Sequence, residues 1–144
     1  VSQNLLLGLR PSLRLEPGDE DRIAQILDKV GLSGFQSRKP AALSGGQQSR
    51  AALARVLLGG RPLVLLDEPF AALGPALRDE MLDLCAETLA TQGRTILMVT
   101  HDPRDAARVA GQTIVVLDGE VHAPTETGPL LADPPDALRT YLGG

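Results

Sequence analysis

Residues 63–69 read LVLLDEP, a continuous apolar run that ends in two acids and a proline. Such a run is typical of a strand buried in a parallel sheet, whose carboxyl end opens on a functional site. Successive side chains of a strand point in opposite directions, so Asp67 and Glu68 are suited to different tasks. One carboxylate could hold Mg²⁺ while the other activates water as a general base, although an ordinary solvated strand end also fits the pattern.

Helical and extended patterns alternate on both sides of this run. Apolar residues at helical spacing, an N-capping serine, prolines at helix starts and an Asp-Gly turn supply the signals. We predict helices over 19–30, from Ser44 to about 58, from Pro75 to before Gly93, after Asp102 and over 135–142. We predict strands over 95–100 and 113–117, and a hairpin turn at 118–119. This alternation indicates an α/β fold with a mainly parallel sheet.

The composition excludes several classes of protein. The 144 residues suffice for about one domain, and the net charge of −4 argues against a nucleic-acid binder, which needs a basic face. The single cysteine, Cys85, excludes an internal disulfide and a cysteine-based zinc site. No apolar run of the sequence approaches the roughly 18–20 residues of a membrane span.

A second motif stands at the start of the helix that Ser44 caps. Residues 43–48 read LSGGQQ, and two glycines beside a capping serine expose several backbone N–H groups. The helix dipole adds positive potential there, so the geometry suits an anionic phosphate. An ordinary capped helix with a flexible lead-in explains the same residues, and the motif alone does not decide between the two interpretations.

A histidine follows the strand predicted over 95–100. His101 is suited to donate a hydrogen bond to a terminal phosphate or to orient a water molecule, or it is an ordinary loop residue. His122 lies in a predicted hairpin strand without a partner motif, and we assign it no role.

In their order and spacing, these motifs resemble those of ATP-binding cassette (ABC) transporter ATPases. Residues 43–47 resemble the family's signature motif, 63–68 its Walker B strand, 71–74 its D-loop and His101 its switch histidine. The resemblance covers nearly the whole chain. It implies part of a P-loop NTPase (RecA-like) core of mainly parallel strands, joined to part of the ABC helical subdomain.

The resemblance also implies roles for individual residues. The signature residues would contact ATP that is held by a second subunit, and these residues are Ser44, Gly45, Gly46 and Gln47. Asp67 would serve Mg²⁺ through water, and the catalytic residues would be Glu68, which activates water, and His101, which holds the γ-phosphate. Gly74 stands where the D-loop usually has an aspartate, so the link between the two ATP sites is expected to differ here.

The sequence contains no G-x-x-x-x-G-K-[ST] phosphate-binding loop. We therefore expect the chain to correspond to the later part of one nucleotide-binding domain, with residues 1–58 as helical subdomain and 59–144 as the later half of the ATPase core. By itself it is expected to show no measurable ATP hydrolysis, and its unpaired strand edges are expected to cause self-association.

Residues 1–15 are similar to the entry of the helical subdomain in thiamine-importer ATPases. This resemblance implies a subunit that energises the uptake of thiamine or its phosphates. Its partners would be a second ATPase subunit in a homodimer, membrane permease subunits and, indirectly, a solute-binding protein, at the cytoplasmic face of the bacterial plasma membrane. The alternatives are an importer of ferric iron, sulfate or polyamine, and a docking module without catalysis.

Overall fold

The computed structural model of the chain describes residues 1–9 and 14–142, in two compact units, Val1–Val99 and Thr100–Gly144. The first unit combines helices with a parallel strand pair. The second combines short helices with antiparallel strand pairs. The likeness of residues 1–15 to thiamine-importer ATPases lies partly outside the described residues, because it includes 10–13.

The elements of the first unit are α1 (Ser2–Leu9), α2 (Asp19–Lys29), a 3-10 turn (Pro40–Ala42), α3 (Gly45–Leu58), β1 (Leu63–Asp67), α4 (Pro75–Thr91) and β2 (Thr95–Val99). Those of the second are α5 (Pro103–Val109), β3 (Gln112–Thr113), β4 (Val116–Leu117), β5 (Glu120–Val121), β6 (Thr125–Glu126), α6 (Thr127–Ala132) and α7 (Asp136–Leu142). The predicted helices, β1 and β2 are confirmed within about a residue, and the sequence reasoning missed α1 and α6.

The end of α2 shows why the chain turns where the sequence predicts. Leu32 donates its N–H to the carbonyl of Leu27 at 2.7 Å, and Gly31 donates to Asp28 at 2.9 Å. Gly31 has a φ of +64°, which glycine adopts without the steric cost that a side chain adds. Leu27 and Leu32 are both fully buried, so this Schellman motif ends the helix and packs the exit against the core.

The apolar core of the first unit lies mainly among its helices. Helix α3 packs against α1, α2 and α4. One guanidinium nitrogen of Arg50, on α3, donates to the carbonyls of Val30 and Gly31 at 3.0 and 2.9 Å, which ties α3 to the end of α2. The largest fully buried side chains are Leu5, Leu6, Ile23, Leu27, Val30, Leu32, Leu82 and Leu89.

Strands β1 and β2 pair in parallel, with Leu63 opposite Thr95 and Asp67 opposite Val99. Val64 and Leu66 are buried, as the apolar run predicts. A strand buried in a parallel sheet is expected to be buried along its whole length, but in β1 only alternate residues are buried, and β2 has no buried residue. The exposed fractions are 51% for Leu63, 68% for Leu65, 50% for Leu97 and 56% for Val99.

The second unit corrects the strand predicted over 113–117. Residues 114 and 115 belong to no strand, so the run is divided into β3, which pairs with β6, and β4, which pairs with β5. The turn at Asp118 and Gly119 is confirmed, since both residues have a positive φ and join β4 to β5. No helix within the described part of the chain is long and apolar enough to cross a membrane.

The exposed face of the β1–β2 pair predicts self-association of the purified chain, because apolar surface favours it beside strand edges that pair with no other strand among the described residues. Leu65 and Leu97 are cross-strand neighbours on this face. We expect Leu65→Thr/Leu97→Thr to lower the weight-average mass in sedimentation velocity. The control is Leu15→Thr, which changes a leucine that is 49% exposed outside the sheet. A monomeric wild type, or an equal effect of the control, would contradict this prediction.

Candidate functional site

The first component of the candidate site is the N-terminus of α3. The Ser44 hydroxyl accepts the N–H of Gln47 at 3.3 Å, and the Gln47 side-chain oxygen accepts the N–H of Ser44 at 3.0 Å. This reciprocal pair is a capping box, which satisfies two of the donors that a helix start leaves free. The N–H groups of Gly45 and Gly46 have no acceptor among the described residues. The motif therefore offers two backbone donors at the positive end of a 14-residue helix.

The structure brings the signature glycines against the D-loop position of the same chain. A Cβ at Gly46 would lie 3.2 Å from a methyl group of Leu73 and 3.6 Å from the carbonyl oxygen of Ala72. A Cβ at Gly45 would meet only the Ala72 methyl, at 4.0 Å. A side chain at Gly46 would therefore require Leu73 to shift by a few tenths of an ångström, whereas Gly45 faces more open space.

The second component is the acid pair at the end of β1. Asp67 is the last residue of the strand, and the side chains of both Asp67 and Glu68 are exposed. Glu68 has a φ of +40°, a left-handed conformation that is uncommon outside glycine. Its N–H donates to the carbonyl of Val99 on β2 at 2.9 Å, and its carbonyl accepts the N–H of Ala71 at 3.3 Å. These bonds hold Glu68 in a strained conformation, which occurs most often at functional sites.

The third component is Gly74, which is the N-cap of α4. Its φ of −67° and ψ of 157° are ordinary extended values, and no side-chain cap is present. A Cβ built on Gly74 meets nothing within 4 Å. The structure therefore has room for the aspartate that the family usually places here, and the backbone does not require glycine.

The predicted switch histidine lies in the second unit. His101 is exposed, and its carbonyl accepts a hydrogen bond from the Tyr141 hydroxyl at 3.4 Å. The next residue, Asp102, caps α5 by accepting the N–H of Arg104 at 3.0 Å. On the other side of His101, the Thr100 hydroxyl donates to the buried Asp105 carboxylate at 2.7 Å. The loop that carries His101 is thus held on both sides.

Among the described residues, no group of three or more His, Cys, Asp or Glu side chains could enclose a metal ion. The exposed carboxylate of Asp67 is nevertheless the type of donor that Mg²⁺ uses when phosphate oxygens and water supply its other ligands. Thiol chemistry has no support, because burial in α4 raises the pKa of the Cys85 thiol to about 11, while the positive charge of Arg94 opposes this rise.

Comparison with known proteins gives consistent matches. The family model described as ABC transporter matches residues 1–71. The thiamine import ATP-binding protein ThiQ of Cereibacter sphaeroides is 62% identical over 143 residues, 99% of this chain and 62% of the relative. The proteins of that name from Ruegeria sp. and Chelativorans sp. are 54% and 49% identical over 99% of this chain. This chain is similar to ABC transporter ATP-binding proteins over 99% of its length.

A solved structure supports the same assignment. The inward-facing structure of a metal-chelate type ABC transporter matches with a TM-score of 0.73 and 27% identity, over 90% of this chain and 53% of that chain. The predicted fold class, part of a P-loop NTPase core with mixed helices and strands, is confirmed. This chain spans 62% of the length of the Cereibacter sphaeroides and Ruegeria relatives and 58% of the Chelativorans relative.

Sequence reasoning missed three features of this site. They are the left-handed backbone of Glu68, the contact of Gly46 with Leu73, and the bond between Thr100 and Asp105. Only the last had a sequence signal, since Asp105 is the N3 residue of a helix that begins with Pro103, a position that favours a carboxylate.

The strain at Glu68 predicts that glycine at this position gives a more stable protein than alanine, the reverse of the usual order. Glu68→Gly should unfold with a free energy about 1 kcal/mol higher than Glu68→Ala, because glycine relieves the left-handed backbone. In ordinary extended structure glycine is instead the less stable residue. Urea denaturation of both variants measures the difference. If Glu68→Ala is the more stable variant, Glu68 is not strained.

Proposed function

We propose that this chain is part of the ATP-hydrolysing subunit of an importer that takes up thiamine or its phosphates. The observation that carries the proposal is the acid pair at the end of β1, where Asp67 is exposed and Glu68 is held in a left-handed conformation. A strained, exposed carboxylate at a strand end is costly for stability alone, and a catalytic task accounts for the cost.

The phosphate contacts of the proposed site come from the N-terminus of α3. The N–H groups of Gly45 and Gly46, together with the hydroxyl of Ser44, are suited to the terminal phosphate of ATP, because a helix start favours negative charge. The hydrogen bond from the Ser44 N–H to the Gln47 side chain holds the backbone at the start of α3 in place. We propose that these groups act in trans, on ATP held by the second subunit of a homodimer.

The acid pair divides two tasks between neighbouring residues. Asp67 would hold Mg²⁺ through water, and the ion, when bound, would neutralise charge on the phosphoryl group that is transferred. Glu68 would accept a proton from the attacking water as general base. The bond between the Glu68 N–H and Val99 fixes the backbone from which this carboxylate extends.

His101 would hold the γ-phosphate through its imidazole. Gly74 would leave the cross-dimer link without the usual aspartate, so the two ATP sites would be coupled more weakly. The sequence lacks the P-loop motif, and we propose that a segment outside these 144 residues supplies that cradle. In this scheme residues 1–58 form the helical subdomain and 59–144 the later half of the ATPase core.

The substrate assignment follows from the relatives that carry the name thiamine import ATP-binding protein, at 62%, 54% and 49% identity over 99% of this chain. By analogy, the partners would be membrane permease subunits and, indirectly, a solute-binding protein. The subunit would lie at the cytoplasmic face of the bacterial plasma membrane. The structural match to a metal-chelate type transporter favours uptake of a metal complex as the second candidate.

The catalytic assignment is tested in a chimera in which this chain replaces the matching 62% of the Cereibacter sphaeroides relative. Glu68→Gln keeps the size of the side chain and removes the base, so ATP should still bind while turnover falls by roughly two orders of magnitude or more. His101→Ala should act similarly. The matched control is Glu120→Gln, an exposed glutamate of β5. Turnover of Glu68→Gln within about twofold of the parent would contradict a general-base role.

The substrate is tested in a thiamine auxotroph that lacks its own importer ATPase. The chimera is supplied together with the relative's permease and binding-protein genes. Growth on nanomolar thiamine that is lost with Glu68→Gln would support the proposal. Growth that persists with Glu68→Gln would contradict the catalytic role of Glu68 in uptake. A chimera that hydrolyses ATP without restoring thiamine uptake would contradict the assignment to thiamine import.

A further inference from the structure

We propose that Thr100 and Asp105 form a positioning pair that fixes the backbone of His101. The inference rests on the proposed function of His101 and adds two residues to it. It starts from the burial of Asp105, whose side chain lies in the first turn of α5 and is 3% exposed. A carboxylate is seldom buried to this extent unless hydrogen bonds satisfy it.

The Thr100 hydroxyl is placed between two groups. It donates to the Asp105 carboxylate at 2.7 Å and accepts the backbone N–H of Asp102 at 3.1 Å. Each bond joins a residue before His101 to a residue after it, because Thr100 precedes His101 while Asp102 and Asp105 follow it. A short bond to a carboxylate is stronger than one between neutral groups, so the Thr100–Asp105 bond is the main restraint.

The start of α5 provides the rigid support for this pair. Asp102 caps the helix through the N–H of Arg104 at 3.0 Å, and Pro103 occupies its first turn. Asp105 donates its own N–H to the carbonyl of Asp102 at 3.1 Å. The two ends of the loop are therefore attached to one turn of helix, and the His101 backbone between them has little freedom.

Fixing this backbone matters because His101 itself is exposed. An exposed imidazole on a mobile loop would lose conformational entropy each time it met a phosphate. Preorganisation by the pair removes part of that cost before nucleotide arrives. Thr100 and Asp105 would act through His101 and would not contact the nucleotide.

The positioning is tested first in the 144-residue chain without nucleotide. Thr100→Val keeps the shape of the side chain and removes both bonds, so hydrogen exchange of the Asp102 amide should rise by at least about tenfold, as expected when a protecting bond is lost. The His101 ring resonances should shift, while those of His122, the other histidine, should stay in place. Thr100→Ser keeps the hydroxyl and should resemble the wild type.

A second variant covers the case in which Thr100→Val does not fold. Asp105→Asn keeps an acceptor oxygen and removes the charge that strengthens the bond, so it should change the Asp102 exchange in the same direction by a smaller factor. Unchanged Asp102 exchange together with unchanged His101 resonances, in either variant that folds, would overturn the positioning pair.

The chimera then separates this inference from the proposed function. Thr100→Val should lower kcat for ATP hydrolysis by about tenfold while KM changes less than about twofold, as expected when groups are misplaced for the reaction, and Thr100→Ser should restore it. If His101→Ala hydrolyses ATP normally, the role proposed for His101 fails. If His101→Ala is inactive and Thr100→Val retains wild-type kcat, the positioning inference fails.

Discussion

The parallel pairing of β1 with β2 is the constraint on which the acid pair of this chain depends. The pairing places Asp67 opposite Val99 and continues one residue beyond the strand, where the Glu68 N–H donates to the Val99 carbonyl. Glu68, which makes that extra bond, has a left-handed conformation at the carboxyl end of the pair. The apolar residues of β1 thus position two carboxylates where the chain leaves the sheet.

A second, local constraint acts at the ends of helices. The capping box of α3 uses Ser44 and Gln47 to satisfy each other's backbone donors, and the N–H groups of the two glycines have no acceptor in the described part of the chain. At α5 the cap residue Asp102 and the buried Asp105 attach the His101 loop to a single turn. In both places a few short polar side chains, and little buried area, determine the geometry of a proposed phosphate contact.

The sequence predicted the parts of the structure that short-range chemistry determines. The apolar run of β1, the serine cap of α3 and the Asp-Gly turn each have a local cause, and each was found where expected. The exposure of Leu65 could not be predicted, since burial depends on which elements pack on the second face of a sheet. The division of 113–117 could not be predicted because Thr113 pairs with Thr125, in a segment for which the sequence analysis predicts no strand.

In the proposed function, the signature end of α3 and the acid pair of one subunit serve different ATP sites. Mixed dimers of the chimera test it through the rate of phosphate release. With Ser44→Arg on one subunit and Glu68→Gln on the other, we expect one intact site and about half of the parental turnover if the sites act independently. With both substitutions on the same subunit, each site is damaged and we expect almost no turnover. The reverse order would contradict the account, because Ser44 and Glu68 of one subunit would then serve the same ATP.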